Sequence, residues 1–139
     1  MHVYFVSSFS VAVNNSNKYN QVCEEPIPMD DRVVMGMGYG QSKFVVEILL
    51  SYLKAGRNIP CYIQQLRLIC GDSVNGILKT NEQLCLMFIG GDAIMHKIPD
   101  LDDCNIDWIP VDYASASIVG IMLYTTHLFC GWQWRAFLI

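Results

Sequence analysis

The sequence predicts an α/β fold built on a parallel sheet, with a smaller lobe following it, and three features carry that prediction. Val3-Tyr4-Phe5-Val6 is an uninterrupted run of β-branched and aromatic residues, the composition of a strand covered on both faces. From Tyr39 to Lys54 the apolar residues Phe44, Val45, Ile48, Leu49 and Tyr52 recur at helical spacing. Pro60 to Leu66 then reads as a second strand, so strand, loop, helix and strand make one βαβ unit.

Taken in order, the first strand ends in Ser7-Ser8, and residues 12 to 38 form a long connection containing Pro26, Pro28, several acids and the run Gly36-Met37-Gly38-Tyr39-Gly40. Such a segment belongs on the surface. The helix that follows is expected to stop at Ala55-Gly56, and Arg67 to Gly71 forms the turn beyond the second strand. After Gly71-Asp72-Ser73 the character shifts to a polar loop through Lys79, a helix from about Asn81 to Ile89, and a loop to Asn105. Asp107-Trp108-Ile109-Pro110-Val111-Asp112 then leads into a helix over Tyr113 to Leu123, with Asp112 as its cap. Phe129 to Ile139 shows neither a cap nor a clean period, and no element is assigned there.

With 139 residues, 53% hydrophobic and 16% charged, the chain is long enough for one domain with a real core. Its net charge of -4, pI near 5.1 and lack of any Lys/Arg cluster exclude a nucleic-acid footprint. Cys23, Cys61, Cys70, Cys85, Cys104 and Cys130 are scattered without a CxxC pair, as thiols of a cytoplasmic protein are, which argues against a disulfide or zinc framework. His2, His96 and His127 have no carboxylate or Cys at ligand spacing, so no metal site is expected. The apolar N-terminus followed by Asn14-Asn15-Ser16 has the outline of a secretory leader with a glycosylation triplet, yet Met1-His2 supplies no basic charge and Ser7, Ser8 and Ser10 break the run. Ala114 to Trp134 carries no Lys, Arg, Asp or Glu, but Ser115, Ser117, Thr125, Thr126 and His127 interrupt it, so a membrane span is not expected.

One constellation carries chemistry. Tyr39 and Lys43 lie four apart on one helix face, so the ammonium can sit beneath the phenol, favour its ionised form and help it relay a proton. A strand ending in a hydroxyl pair precedes them, the order that a nucleotide-dependent carbonyl reductase requires; Ser8 is the candidate hydroxyl, with Ser7 as the alternative. Glu47 on the same helix is taken as a solvated residue, Trp108 as core and Asp112 as a helix cap rather than an acid catalyst.

Five ordered blocks resemble the extended short-chain dehydrogenase/reductase superfamily, and within it the thioester reductase group, also called the male-sterility type NAD-binding domain. They are Val6-Ser7-Ser8-Phe9-Ser10-Val11, Gly38-Tyr39-Gly40-Gln41-Ser42-Lys43 with Glu47, Cys70-Gly71-Asp72-Ser73 with Asn75-Gly76, Pro99-Asp100-Leu101, and Asp107 to Tyr113. The resemblance implies that Ser8 hydrogen-bonds the substrate carbonyl, Tyr39 donates the proton, and Lys43 holds the nicotinamide ribose of NADPH. Leu66 and Arg67 would then lie close to the nicotinamide. The implied substrate is an acyl thioester on the phosphopantetheine arm of a carrier protein, reduced to an aldehyde or alcohol.

Two departures from the family pattern qualify the resemblance. The family opens with a strand and a Gly-rich turn that binds the cofactor pyrophosphate, and no segment here matches it. Gly36-Met37-Gly38-Tyr39-Gly40 lacks the GxGxxG spacing and follows a loop. The expected organisation is therefore the second half of a doubly wound, Rossmann-like fold over residues 1–75 with the N-terminal half missing, a partial substrate-binding lobe over 76–128, and an atypical tail over 129–139. Arg67 either replaces a residue that approaches the nicotinamide or is the family Arg displaced by a two-residue gap. As a free chain the polypeptide is expected to be inactive. The competing expectation is a non-catalytic binding module that keeps a worn reductase fold; sugar-nucleotide epimerase or dehydratase chemistry would need a pocket that the sequence does not suggest.

Overall fold

The computed structural model describes residues 2–15, 27–97, 108–127 and 135–137. Pro26, the Pro99-Asp100-Leu101 block, Asp107, Ser16 and three of the cysteines (Cys23, Cys104 and Cys130) lie outside the described residues. The elements are β1 (Val3–Ser8), α1 (Gly38–Arg57), β2 (Cys61–Leu66), β3 (Leu68–Cys70), α2 (Gln83–Gly90), β4 (Trp108–Pro110), α3 (Val111–His127) and β5 (Arg135–Phe137). Short 3-10 turns stand at Phe9–Val11 and Asp31–Val33, and α2 runs on into a π turn at Gly91–Met95.

β1, β2 and β5 form a parallel sheet in the order β1-β2-β5, with Val3 opposite Cys61 and Ser8 opposite Leu66. The α/β reading with a parallel βαβ unit is what the chain forms. β2 is central and all six of its residues are buried. Leu50 of α1 packs on Cys61 and Ile63, with Val3, Phe5, Val46, Leu53 and Ile59 around them, so the helix covers one face of the sheet. On the other face the Tyr4 and Tyr62 rings stack 5.0 Å apart, and the Tyr4 hydroxyl pairs with Thr125 Oγ1 at 2.8 Å, fastening α3 there. Burial of this layer pushes the Tyr62 phenol pKa up.

Three local expectations need correction. α1 does not stop at Ala55-Gly56: it continues to Arg57 and ends on Asn58, whose φ of 51° is the left-handed cap that Asn tolerates best after Gly. Residues 67–71 are not simply a turn, because Leu68–Cys70 is a strand that pairs in parallel with Trp108–Pro110 in a second, two-stranded sheet. Arg67 is therefore the single residue at which the chain passes from one sheet to the other. Asp112 is not the cap of α3 but lies in its first turn, where its carboxylate accepts from Ser73 N at 2.9 Å and Ser73 Oγ at 2.6 Å.

The Gly71–Ile77 turn that Asp112 holds is itself wound around Asp72, whose carboxylate accepts from the backbone of Val74, Asn75 and Ile77. Gly71 is required there, since a Cβ would stand 2.7 Å from the Gly76 carbonyl oxygen. In the tail the described strand β5 pairs with β2 and widens the first sheet. Among the described residues no helix is long and apolar enough to cross a membrane.

Candidate active site

The carboxyl ends of β1 and β2 and the first turns of α1 enclose an open cleft of about 780 Å³. Open parallel sheets bind their ligands at this end of the strands. Ser8, Tyr39, Lys43, Leu66 and Arg67 all line it, with Phe9, Ser10, Met35 and Met37 among its other walls.

Ser8 closes β1 in an extended conformation and caps the Phe9–Val11 turn. Its Oγ accepts from Ser10 Oγ at 3.0 Å and from Ser10 N at 3.3 Å. With both acceptor positions occupied, the hydroxyl proton is left to be donated into the cleft. Ser7 is only 3% exposed, and its Oγ has no hydrogen-bond partner among the described residues. Both serines line the cleft, and they differ in burial and in hydrogen bonding.

Tyr39 stands in the first turn of α1 and is 57% exposed. Lys43, one turn on, holds its ammonium 5.7 Å from the Tyr39 ring centroid and 4.9 Å from that of Phe5, and donates to the Val6 carbonyl at 3.0 Å. Gly40, between them, lets the helix approach Ser10: a Cβ there would lie 3.3 Å from the Ser10 and Met35 carbonyl oxygens. This explains one glycine of the Gly36–Gly40 run. It also rules that position out as a phosphate cradle, because two carbonyl oxygens would face the anion. Across the cleft the Arg67 guanidinium lies over the Phe9 ring, 4.4 Å from its centroid.

Glu47 is not a solvated helix residue. It is 1% exposed, and both its carboxylate oxygens accept from Gln65 Nε2, at 2.9 and 3.0 Å. Gln65 is equally buried and pairs in register with Ser7, so the pair ties α1 to β2 directly beneath the cleft. Sequence reasoning missed this pair, Ser10 and Phe9. Spacing could have placed Glu47, since 43, 47 and 50 share one helix face.

A hydroxyl at the carboxyl end of a parallel strand and a Tyr-x-x-x-Lys helix packed on that strand, opening on one cleft, define a dinucleotide-binding fold of the short-chain dehydrogenase type. The chain belongs to the male sterility protein family of NAD-binding domains, whose model matches residues 1–118. It is similar to a linear gramicidin synthase polypeptide of Brevibacillus parabrevis, 33% identical over 126 residues, which is 90% of this chain and 2% of that protein. Among solved structures it resembles the terminal R domain of the myxalamid PKS-NRPS biosynthetic pathway, with 30% identity and a TM-score of 0.67 over 84% of this chain and 28% of that one. The fold is also that of the reductase domain of a non-ribosomal peptide synthetase from Mycobacterium tuberculosis, at 19% identity and a TM-score of 0.61, covering 96% of this chain and 33% of the other. The chain thus spans a third or less of each of these relatives.

Proposed function

We propose that this chain carries the carbonyl-handling part of an NADPH-dependent reductase, whose substrate is an acyl thioester on a carrier protein's phosphopantetheine arm and whose product is an aldehyde or alcohol. The observation that supports it most is the convergence on one cleft of Ser8 from β1, Tyr39 and Lys43 from α1, Leu66 from β2 and Arg67 just beyond it.

In this reading Ser8 donates its hydroxyl proton to the thioester carbonyl oxygen, and Tyr39 delivers a proton to the same oxygen as negative charge develops on it. Lys43 stands beside the phenol and takes the hydroxyls of the cofactor ribose. The short turn at Leu66-Arg67, where Arg67 lies over Phe9, would form the wall facing a bound nicotinamide. A bound reduced nicotinamide would supply the hydride. The hemithioacetal so formed then breaks its C–S bond, the carbonyl re-forming as the oxygen gives up its proton and the phosphopantetheine sulfur leaving as the thiol, to give the aldehyde. The cleft has the size of a cofactor pocket and offers donors for this end of the dinucleotide. Among the described residues no strand followed by a Gly-rich turn offers a place for the pyrophosphate, so the free chain is expected to bind the cofactor weakly and not to turn over. Its six thiols without a disulfide pattern accord with a cytoplasmic setting.

A second reading is a binding module that keeps the fold without chemistry, and the engagement of Lys43 with Val6 favours it. A chimaera separates the two. With residues 1–127 grafted into the myxalamid R domain in place of its matching region, the first reading predicts NADPH oxidation that depends on an acyl-pantetheine thioester. Tyr39→Phe should lower that turnover at least about 100-fold. NADPH binding without turnover in the unsubstituted chimaera would favour the second.

A further inference from the structure

Arg67 stands where the chain leaves β2 for β3, one residue past Leu66, which is opposite Ser8 in the parallel register. It is half-buried and lines the cleft. Its guanidinium lies 4.4 Å from the centroid of the Phe9 ring, on the side chain that follows Ser8. A guanidinium laid on an aromatic face is held in place, sheds water from that side, and is not deprotonated in a protein. Among the described residues the other ionised side chains on these walls are Lys43, which is turned to the Val6 carbonyl, and Glu82, which is exposed at the start of α2. Those two are of opposite sign, so Arg67 decides the sign of the charge on the cleft walls.

A fixed cation beside a nicotinamide acts on one half of its redox couple. The reduced ring is neutral and the oxidised ring is positively charged, so like-charge repulsion falls on the oxidised form alone. The ribose and phosphates are common to both forms and cancel from the comparison. We propose that Arg67 selects the redox state of the cofactor: it sets the cleft against the oxidised nicotinamide and makes the reduced form the preferred ligand. The selection rests on the reading of the cleft as a nicotinamide site. Its consequence is that used cofactor is the weaker ligand and fresh cofactor displaces it. An uncharged residue at position 67 would give the cleft no such preference.

The test titrates the reduced and the oxidised form of nicotinamide mononucleotide into the full chain at neutral pH, following the backbone amides of Ser8, Tyr39 and Arg67 by NMR. This probe carries the ring, its ribose and one phosphate, and asks nothing of a pyrophosphate site. The wild type should bind the reduced form at least about fivefold more tightly than the oxidised one. Arg67→Met, which keeps length without charge, should bring the two affinities within about twofold, chiefly by tightening the oxidised form. Arg67→Lys should keep most of the preference, and Arg57→Met, which removes a charge at the opposite end of α1, should leave it unchanged. Equal affinities in the wild type, or a preference that Arg67→Met retains, would overturn the selection while leaving the nicotinamide site in place. Amides that respond to neither form would overturn the nicotinamide reading itself, and the selection with it.

Discussion

Ser8 acts in this site through the company its oxygen keeps. Because Ser10 fills both acceptor positions, Ser10→Ala in the chimaera should lower kcat by less than Ser8→Ala does, while leaving NADPH affinity unchanged; equal losses would mean that Ser10 acts on the substrate directly. Titration of three carboxylates is a property of the same scale. Arg32 holds Asp30 at a pKa of about 2, chiefly through its side-chain hydrogen bond. Backbone donors from Asn75 and Ile77 lower that of Asp72, and Ser73 lowers that of Asp112. A folded-state value below the unfolded one contributes stability above the unfolded pKa that is lost as pH falls through the folded one. The thermal midpoint should therefore drop between pH 3.8 and about 2, and Asp72→Asn should flatten part of that drop. A midpoint that stays level across this window would contradict the assignment.

Among the elements, the Glu47–Gln65 pair joins α1 to β2 and so sets how the Tyr-x-x-x-Lys turn sits over the strand ends. Glu47→Ala leaves a buried amide without its acceptor and should cost about 2 kcal/mol in a urea titration. A loss no larger than that of an exposed substitution would refute the tie. Gly71→Ala should destabilise by about 1 to 3 kcal/mol, because a Cβ 2.7 Å from the Gly76 carbonyl forces the Asp72 turn aside. Periodicity made α1 legible as a helix but not its buried face. Val45, Leu49 and Tyr52 of the apolar set are more than half exposed, while Leu50, with Val46 and Leu53, meets the sheet. β2 was legible as a short run between Pro60 and Arg67. Periodicity could not reveal β3 and β4, three-residue strands whose pairing joins positions 68 and 108 and leaves no local pattern. Nor could it show that Asp112 reaches Ser73 instead of capping its own helix, because both roles favour the same residue at a helix start.

Over the chain as a unit, apolar surface is plentiful. Val45, Leu49 and Tyr52 along α1, and Val119, Leu123 and Tyr124 along α3, are all more than half exposed. Patches of this kind mark surfaces that bury themselves against other protein. The isolated chain should accordingly self-associate with rising concentration in sedimentation velocity, and should do so less when Leu49 and Tyr52 are changed to Ser. The family was legible because its motif blocks are short and ordered along the chain. The seat of Arg67 on Phe9 was not, because it depends on where the chain passes from one sheet to the other. In the proposed function Ser8, Tyr39 and Lys43 handle a carbonyl that receives hydride in their shared cleft. The decisive experiment is mass analysis of the aldehyde formed by the myxalamid chimaera from an acyl-pantetheine thioester and NADPH deuterated at C4 of the nicotinamide. One deuterium at the aldehyde carbon, with the amount of labelled aldehyde falling at least about 100-fold in Tyr39→Phe, is the expected result; an unlabelled product, or an undiminished yield of labelled aldehyde in that variant, would refute the proposed chemistry.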